Sequence, residues 1–313
     1  MTRHFLRDDD LSPAEQADVL GLAARLKADP FAARPLAGPR TAALIFDKQT
    51  LRTQASFAAG VAELGGFPMA LDGRLAGIGV RESVADVARV LGRQASTIVW
   101  RTDLQSKLEE MAAYAGVPVV NALTDDFHPC QLLADLLTIQ EHKGDLGGLT
   151  AAFVGDGACN MGNSWLLAGA TAGLHVVISS PEGYEPAPEM VQRAARIAAE
   201  TGGSATLQRD PRVAVRDADI LITDTWVSMG KEEEAAPRLA ALQPYALTES
   251  LLALAHEQAI VLHCLPAYRG KEIDAAVIDG PRSVVWDEAE NRRHAQKAVL
   301  TWLLEQPEAG PDE

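Results

Sequence analysis

Cysteine is scarce: Cys130, Cys159 and Cys264 are the only three in a chain of 313 residues. They are widely spaced and odd in number, and no Cys-x-x-Cys pair occurs, so neither a disulfide framework nor a structural zinc site is suggested. Positive charge is also short, with 28 Lys and Arg against 43 Asp and Glu and a net charge of −15. Such a surface repels a phosphate backbone, which argues against a nucleic-acid partner, although a few local arginines can still hold a small anion. No apolar run approaches the roughly 18 residues of a membrane span. The start, Met1-Thr2-Arg3-His4-Phe5 and then Asp8, Asp9 and Asp10, lacks the apolar core of a secretory signal. A cytoplasmic protein with no membrane partner is expected. No solenoid period or low-complexity tract appears. What remains is an ordinary globular composition, 47% apolar and 23% charged, long enough for two domains.

The apolar pattern alternates between strands and helices. Ser12-Pro13-Ala14-Glu15 is a capping box with proline at the first helical position. Val19, Leu22, Ala23 and Leu26 follow at helical spacing. Residues 42–46 read as a buried strand feeding the polar loop 47–50, after which Phe57, Val61 and Leu64 mark a helix stopped by Gly65-Gly66. Ser83 with Asp86 opens another helix. Strands are expected at 97–100 and 117–120, with a helix beginning at His128-Pro129. A glycine-rich stretch, 144–148, separates these from strands at 151–154, 175–179, 219–223, 259–263 and 283–286. The last helix carries Ala295, Ala298, Val299, Trp302 and Leu303. Alternation of this kind means parallel sheets covered on both faces. The expected fold is α/β: two doubly wound parallel-sheet domains, 1–143 and 144–313, joined by interdomain helices. The last helix, about 290–305, is expected to pack back on the first domain.

Ligand crevices in such sheets lie beyond the carboxyl ends of the strands. Lys48, Thr50, Arg52 and Thr53 follow the first strand, and Arg101 follows the strand ending at Trp100. Arg52 and Thr53 open a helix, where unpaired N–H groups and a guanidinium fork suit a phosphate; the alternative is two surface arginines and a capped helix. His128 either caps its helix or, with Gln131 on the same face, presents donors to one carbonyl. Asp224 either holds a ligand ammonium or caps the next element. Cys264 reads as a buried thiol or a reactive one, and no further ligands are spaced to complete a metal shell around His263-Cys264. Residues 155–160, Gly-Asp-Gly-Ala-Cys-Asn, begin like a dinucleotide fingerprint but place Asn160 where the third glycine belongs, and Glu182, a candidate ribose-binding acid, lies in a Pro/Gly loop beyond its strand. A nicotinamide enzyme is therefore a minor reading.

Taken in order, five strings resemble the aspartate/ornithine carbamoyltransferase family, nearest its ornithine branch. Residues 46–54, Phe-Asp-Lys-Gln-Thr-Leu-Arg-Thr-Gln, look like its carbamoyl-phosphate loop. Residues 127–135 contain its His-Pro-x-Gln motif, and 224–230, Asp-Thr-Trp-Val-Ser-Met-Gly, its Ser-Met-Gly loop. His263-Cys264-Leu265-Pro266 and Glu290-Asn291-Arg292 complete the set. The resemblance implies transfer of the carbamoyl group of carbamoyl phosphate to the δ-amine of L-ornithine, giving L-citrulline and phosphate in arginine biosynthesis, without cofactor or metal. It implies a homotrimer or a multiple of it. It also implies that Thr50, Leu51 (through its backbone), Arg52, Thr53, Arg101, His128, Gln131, Cys264, Leu265 and Arg292 hold carbamoyl phosphate. Among these, Arg101, His128, Cys264 and Arg292 would be catalytic. Asn160, Asp224, Ser228 and Met229 would bind ornithine.

The chain departs from the family pattern in places. Leu51 replaces a hydroxyl residue of the phosphate loop, Gln54 replaces its closing arginine, and Gly77 stands where a glutamine is usual, with Arg81 near a lysine position. The rival reading is a same-fold carbamoyltransferase with an altered phosphate loop and a different amine acceptor. A non-catalytic paralogue is disfavoured by the retention of Arg52, Arg101, His128 and Cys264.

Overall fold

The computed structural model describes residues 2–48, 50–227 and 232–306. The chain divides into two compact units, residues 1–137 with 290–313 and residues 138–289. Each is a parallel sheet with helices. The first sheet has the order β2-β1-β3-β4, from strands β1 (Thr41–Phe46), β2 (Phe67–Asp72), β3 (Thr97–Arg101) and β4 (Val119–Leu123). The second runs β7-β6-β5-β8-β9, from β5 (Thr150–Val154), β6 (His175–Ser179), β7 (Ser204–Leu207), β8 (Ile220–Ile222) and β9 (Ile260–Leu262). Every pairing within them is parallel. In such sheets ligands bind where the direction of strand order reverses. That point lies between β1 and β3 in the first sheet and between β5 and β8 in the second.

The elements follow from local chemistry. Ser12 Oγ accepts from the Glu15 N–H and the Glu15 carboxylate accepts from the Ser12 N–H, starting the helix Pro13–Ala28. Ser83 caps Val84–Leu91 by accepting from the Asp86 N–H. Central strands β1 and β3 are almost wholly buried; Ala43, Ile45, Ile98, Trp100 and Met111 form the core beside them. Ala152, Leu221, Val261 and Ile273 belong to the corresponding core of the second unit.

Two strands had no sequence signal, and one expected strand is absent. The edge strand β2 has no buried residue, and Pro68 within its run Phe67-Pro68-Met69-Ala70-Leu71 argues against a strand. Strand β7 is four residues and half-exposed. At 283–286 there is a single bridge, Val261 with Ser283, and the helix Val285–Leu304 then begins. Asp287 and Glu288 in its first turn favour the positive end of a helix over a strand. No helix among the described residues is long and apolar enough to cross a membrane.

A buried charge clamp fixes that last helix within the first unit. Lys297 is 0% exposed, and its ammonium donates to the carbonyls of Leu26 (3.2 Å) and Pro30 (2.9 Å) and to Glu63 Oε2 (2.6 Å). Arg293 takes the other Glu63 oxygen at 3.2 Å. Removing one partner of a buried pair strands the other charge. Lys297→Met is therefore expected to lower unfolding free energy by about 3 kcal/mol in urea titrations. Adding Glu63→Leu should restore most of the loss, and a double variant as weak as the single one would contradict this account.

Candidate active site

In the first unit the functional side chains gather at the reversal point. The loop leaving β1 is held from below: Asp47 Oδ1 accepts from Trp100 Nε1 at 3.1 Å, and the Asp47 N–H donates to the Arg101 carbonyl. A Cβ on Gly73 would lie 1.8 Å from that carboxylate oxygen, so only glycine lets the neighbouring chain approach. Thr50 is the N-cap of the helix Leu51–Glu63, but its hydroxyl makes no capping bond; it faces Arg101 instead. Arg101 Nη1 donates to Thr50 Oγ1 and Thr53 Oγ1, both at 3.4 Å. Arg292 donates through Nη2 to the same Thr53 hydroxyl at 2.8 Å and through Nη1 to Gln131 Oε1 at 2.5 Å. The Gln131 amide nitrogen in turn donates to Asp135 Oδ1 at 2.8 Å.

His128, Gln131, Thr53 and Arg292 are all at most 3% exposed. Burial, and then the nearby charges of Arg292, Arg101 and Arg52, hold the His128 imidazole well below its ordinary pKa. Adding a proton would place a fourth cation among three guanidinium groups, so the ring is neutral and offers one N–H donor. The arrangement is a helix N-terminus ringed by guanidinium forks and a neutral imidazole, chemistry suited to a small dianion with an adjoining carbonyl. Leu51 takes no part through its side chain, which is 79% exposed.

In the second unit, Asp224 follows β8 and Cys264 follows β9. Cys264 Sγ donates to Asp224 Oδ1 at 3.2 Å, and the Thr225 N–H donates to the same oxygen at 2.7 Å. Desolvation raises the Asp224 pKa, partly offset by His263 and these donors. His263 is buried; its Nδ1 accepts from the Leu265 N–H at 2.9 Å and its Nε2 lies 3.3 Å from Glu272 Oε1. Leu265 adopts φ +58°. One donor atom from each of Asp224, His263 and Cys264 lies within 4.8 Å of the others, and hydrogen bonds engage both imidazole nitrogens. Asn160 is the first residue of the helix Asn160–Thr171, with Cys159 at its N-cap. A Cβ on Gly162 would sit 2.2 Å from the Gly157 carbonyl, so the helix closes tightly on its turn, a glycine requirement that the fingerprint comparison missed. Cys130 is an inert thiol, pushed by burial to about 12. Ser228 and Met229 lie outside the described residues.

The first unit thus brings together Thr50, Arg52, Thr53, Arg101, His128, Gln131 and Arg292. The second unit brings Asp224, Cys264 and Leu265 together beside the loop leading to Asn160. Models of the two halves of one family match the chain. The carbamoyl-P binding domain of aspartate/ornithine carbamoyltransferase covers residues 3–141, and its Asp/Orn binding domain covers 147–303. The chain belongs to the aspartate/ornithine carbamoyltransferase family and is a carbamoyltransferase. It is 63% identical over 306 residues to the ornithine carbamoyltransferase of Clavibacter sepedonicus, covering 98% of this chain and 100% of that one. Among solved structures it matches the ornithine carbamoyltransferase from Pyrococcus furiosus with TM-score 0.91 and 43% identity, over 96% of both chains. An acetylornithine transcarbamylase complexed with acetylcitrulline matches with TM-score 0.86 and 32% identity, over 97% of this chain and 99% of that one.

The depressed His128 pKa has a thermodynamic consequence. Below the ordinary histidine range the unfolded chain binds a proton that the native site refuses, so stability falls as pH falls, by up to about 1.4 kcal/mol per pH unit from this group. His128→Gln removes that contribution. Urea titrations between pH 7 and pH 5 should show a shallower loss of stability in the variant than in the wild type; equal slopes would mean the imidazole takes up a proton inside the fold.

Proposed function

We propose that the chain transfers the carbamoyl group of carbamoyl phosphate to the δ-amine of L-ornithine, giving L-citrulline and phosphate. The observation that carries this reading is the convergence of Arg101 and Arg292 on the Thr53 hydroxyl beside neutral, buried His128. In this reading the first unit holds carbamoyl phosphate: Thr50, Arg52, Thr53, Arg101 and the Leu51 backbone take the phosphate. Arg101, His128 and Gln131 face the carbamoyl group. Arg292 steadies Gln131 and Thr53, and Cys264 and the Leu265 backbone are assigned to the same substrate. The second unit holds ornithine through Asn160, Asp224, Ser228 and Met229. The family and the high identity to ornithine carbamoyltransferases support the acceptor.

The chemistry needs positioning and charge stabilisation. The lone pair of the neutral δ-amine attacks the carbamoyl carbon, an oxyanion develops, the carbon–oxygen bond to phosphorus breaks and phosphate departs with its electron pair. The nitrogen then loses its proton. His128 and Arg101 donate to the developing oxyanion, where one preorganised donor is worth about 3 kcal/mol. The guanidinium groups neutralise the leaving phosphate. Asp224, with Cys264 donating to it, orients the acceptor amine. A cytoplasmic homotrimer serving arginine biosynthesis is the setting we propose; the exposed apolar side chains of Leu51, Leu75 and Val80 are what a partner subunit would cover. The alternative acceptor remains a different amine, and the similarity to an acetylornithine transcarbamylase keeps that reading specific.

Purified chain supplied with carbamoyl phosphate should form citrulline from ornithine in preference to lysine, putrescine or acetylornithine, with activity rising through mildly alkaline pH as the amine loses its proton. Preference for another amine would move the assignment within the family, and flat activity from pH 6 to 9 would remove amine deprotonation from the limiting step. Leu51→Thr restores a hydroxyl at the phosphate helix and is expected to lower the KM for carbamoyl phosphate. A raised KM would mean that the loop is built around leucine.

A further inference from the structure

Apart from the residues assigned above, the second unit holds a buried arginine whose contacts end on the loops carrying the proposed acceptor groups. Arg238, on the helix Ala235–Leu242, is 7% exposed. Its Nη2 pairs with the Asp156 carboxylate, and its Nε donates to the Trp226 carbonyl at 2.7 Å. Its guanidinium carbon lies 5.2 Å from the centre of the Tyr184 ring, and Nη1 lies 3.5 Å from Glu234 Oε2 on its own segment. Asp156 belongs to the turn after β5, four residues before Asn160. Tyr184 lies in the loop after β6. Trp226 stands two residues after Asp224 in the loop after β8. One planar cation therefore ties together three loops at the carboxyl edge of one sheet.

We infer that Arg238 is a positioning residue for the acceptor, fixing the spacing of Asn160 and Asp224 through Asp156 and Trp226. A buried ion pair adds little net stability over a well-packed apolar pair, so the geometry it imposes is the better account of its presence. The guanidinium fork reaches a carboxylate and a carbonyl in one plane while its face covers an aromatic ring; an ammonium cannot do all three. The Trp226 side chain is itself 1% exposed and packs with Leu242, Ala246, Tyr184 and Leu239, so the residue whose carbonyl Arg238 holds is also anchored through its side chain. The consequence for affinity rests on the ornithine reading above, whereas the anchoring of the loops does not.

The test compares Arg238→Met and Arg238→Lys with the wild type in the full chain. Three quantities are read: amide hydrogen exchange of residues 224–227, ornithine KM and kcat, and carbamoyl-phosphate Kd without ornithine. In Arg238→Met those amides should exchange about tenfold faster and ornithine KM should rise about tenfold, with carbamoyl-phosphate Kd within about twofold of wild type. Arg238→Lys should fall between the two. Should Arg238→Met not fold, Arg238→Lys and Tyr184→Leu carry the same test, each with a KM rise of about threefold. A folded variant with unchanged ornithine KM overturns the positioning role, as does one whose carbamoyl-phosphate Kd weakens in step with ornithine KM. If the wild type forms no citrulline while the 224–227 amides still loosen in Arg238→Met, the acceptor reading fails and the anchor stands.

Discussion

Three guanidinium groups acting on one buried imidazole set the terms for the first unit. Cations repel one another, so Arg52, Arg101 and Arg292 stay together because the fold holds them there. Arg101 leaves the end of a central strand, Arg52 sits in the first turn of a helix, and Arg292 rides on a helix clamped through Lys297 and Glu63. The dipole at the N-terminus of Leu51–Glu63 adds to the same positive field. A chain of net charge −15 thus concentrates positive potential at one sheet edge, where an anion meets donors already oriented. His128 answers to its burial and then to that field: both hold its pKa down, and the neutral ring keeps one N–H donor.

The second unit solves a different problem. In the proposed reading its groups hold an amino acid, a ligand carrying both charges and a chain of methylenes, and its polar residues are correspondingly mixed: an amide, a carboxylate, a thiol and a backbone bent at Leu265. The Asp224 carboxylate is raised in pKa by desolvation yet receives the Thr225 N–H and the Cys264 thiol. A carboxylate so placed is poised to favour a bound amine through short contacts in a poorly solvated setting. His263 supports this by binding the Leu265 N–H, which fixes the backbone on the far side of Cys264.

Much of this was legible before any coordinates. The capping box at Ser12, the N-cap at Ser83, the buried runs of the central strands and the clustering of Thr50, Arg52, Thr53, Arg101 and His128 just past strand ends all follow from spacing and side-chain chemistry. Arg292 did not follow from spacing; only the family resemblance drew attention to it, because its partners Thr53 and Gln131 are 239 and 161 residues away. The edge strand β2 escaped because Pro68 interrupts its apolar residues, and β7 because four half-solvated residues carry no apolar run. The expected strand at 283–286 failed for the opposite reason. Val284 and Val285 are buried as a β-bridge neighbour and the start of a helix, and a short apolar run does not distinguish these.

Arg238 marks the deeper limit of such reading. In sequence it is one arginine shortly after the charged run 231–234, and an arginine on a short helix is ordinarily solvated. What makes it different is a partner 82 residues away and a carbonyl 12 residues away, neither of which has a local pattern. Arg292 and Arg238 illustrate one rule within their separate units. Each arginine is buried, each ties its own helix to other elements (Arg292 to the first turns of two helices, Arg238 to loops at the carboxyl ends of strands), and each uses the directional fork where a point charge would not define an angle. The difference lies in what they hold. Arg292 bonds side chains that face the proposed phosphate site, while Arg238 bonds a backbone carbonyl and a carboxylate behind the proposed acceptor groups. Positive charge in this protein therefore has two separable uses, attraction of an anion and fixing of loop geometry, and burial alone does not tell them apart. The identity of the acceptor atoms does.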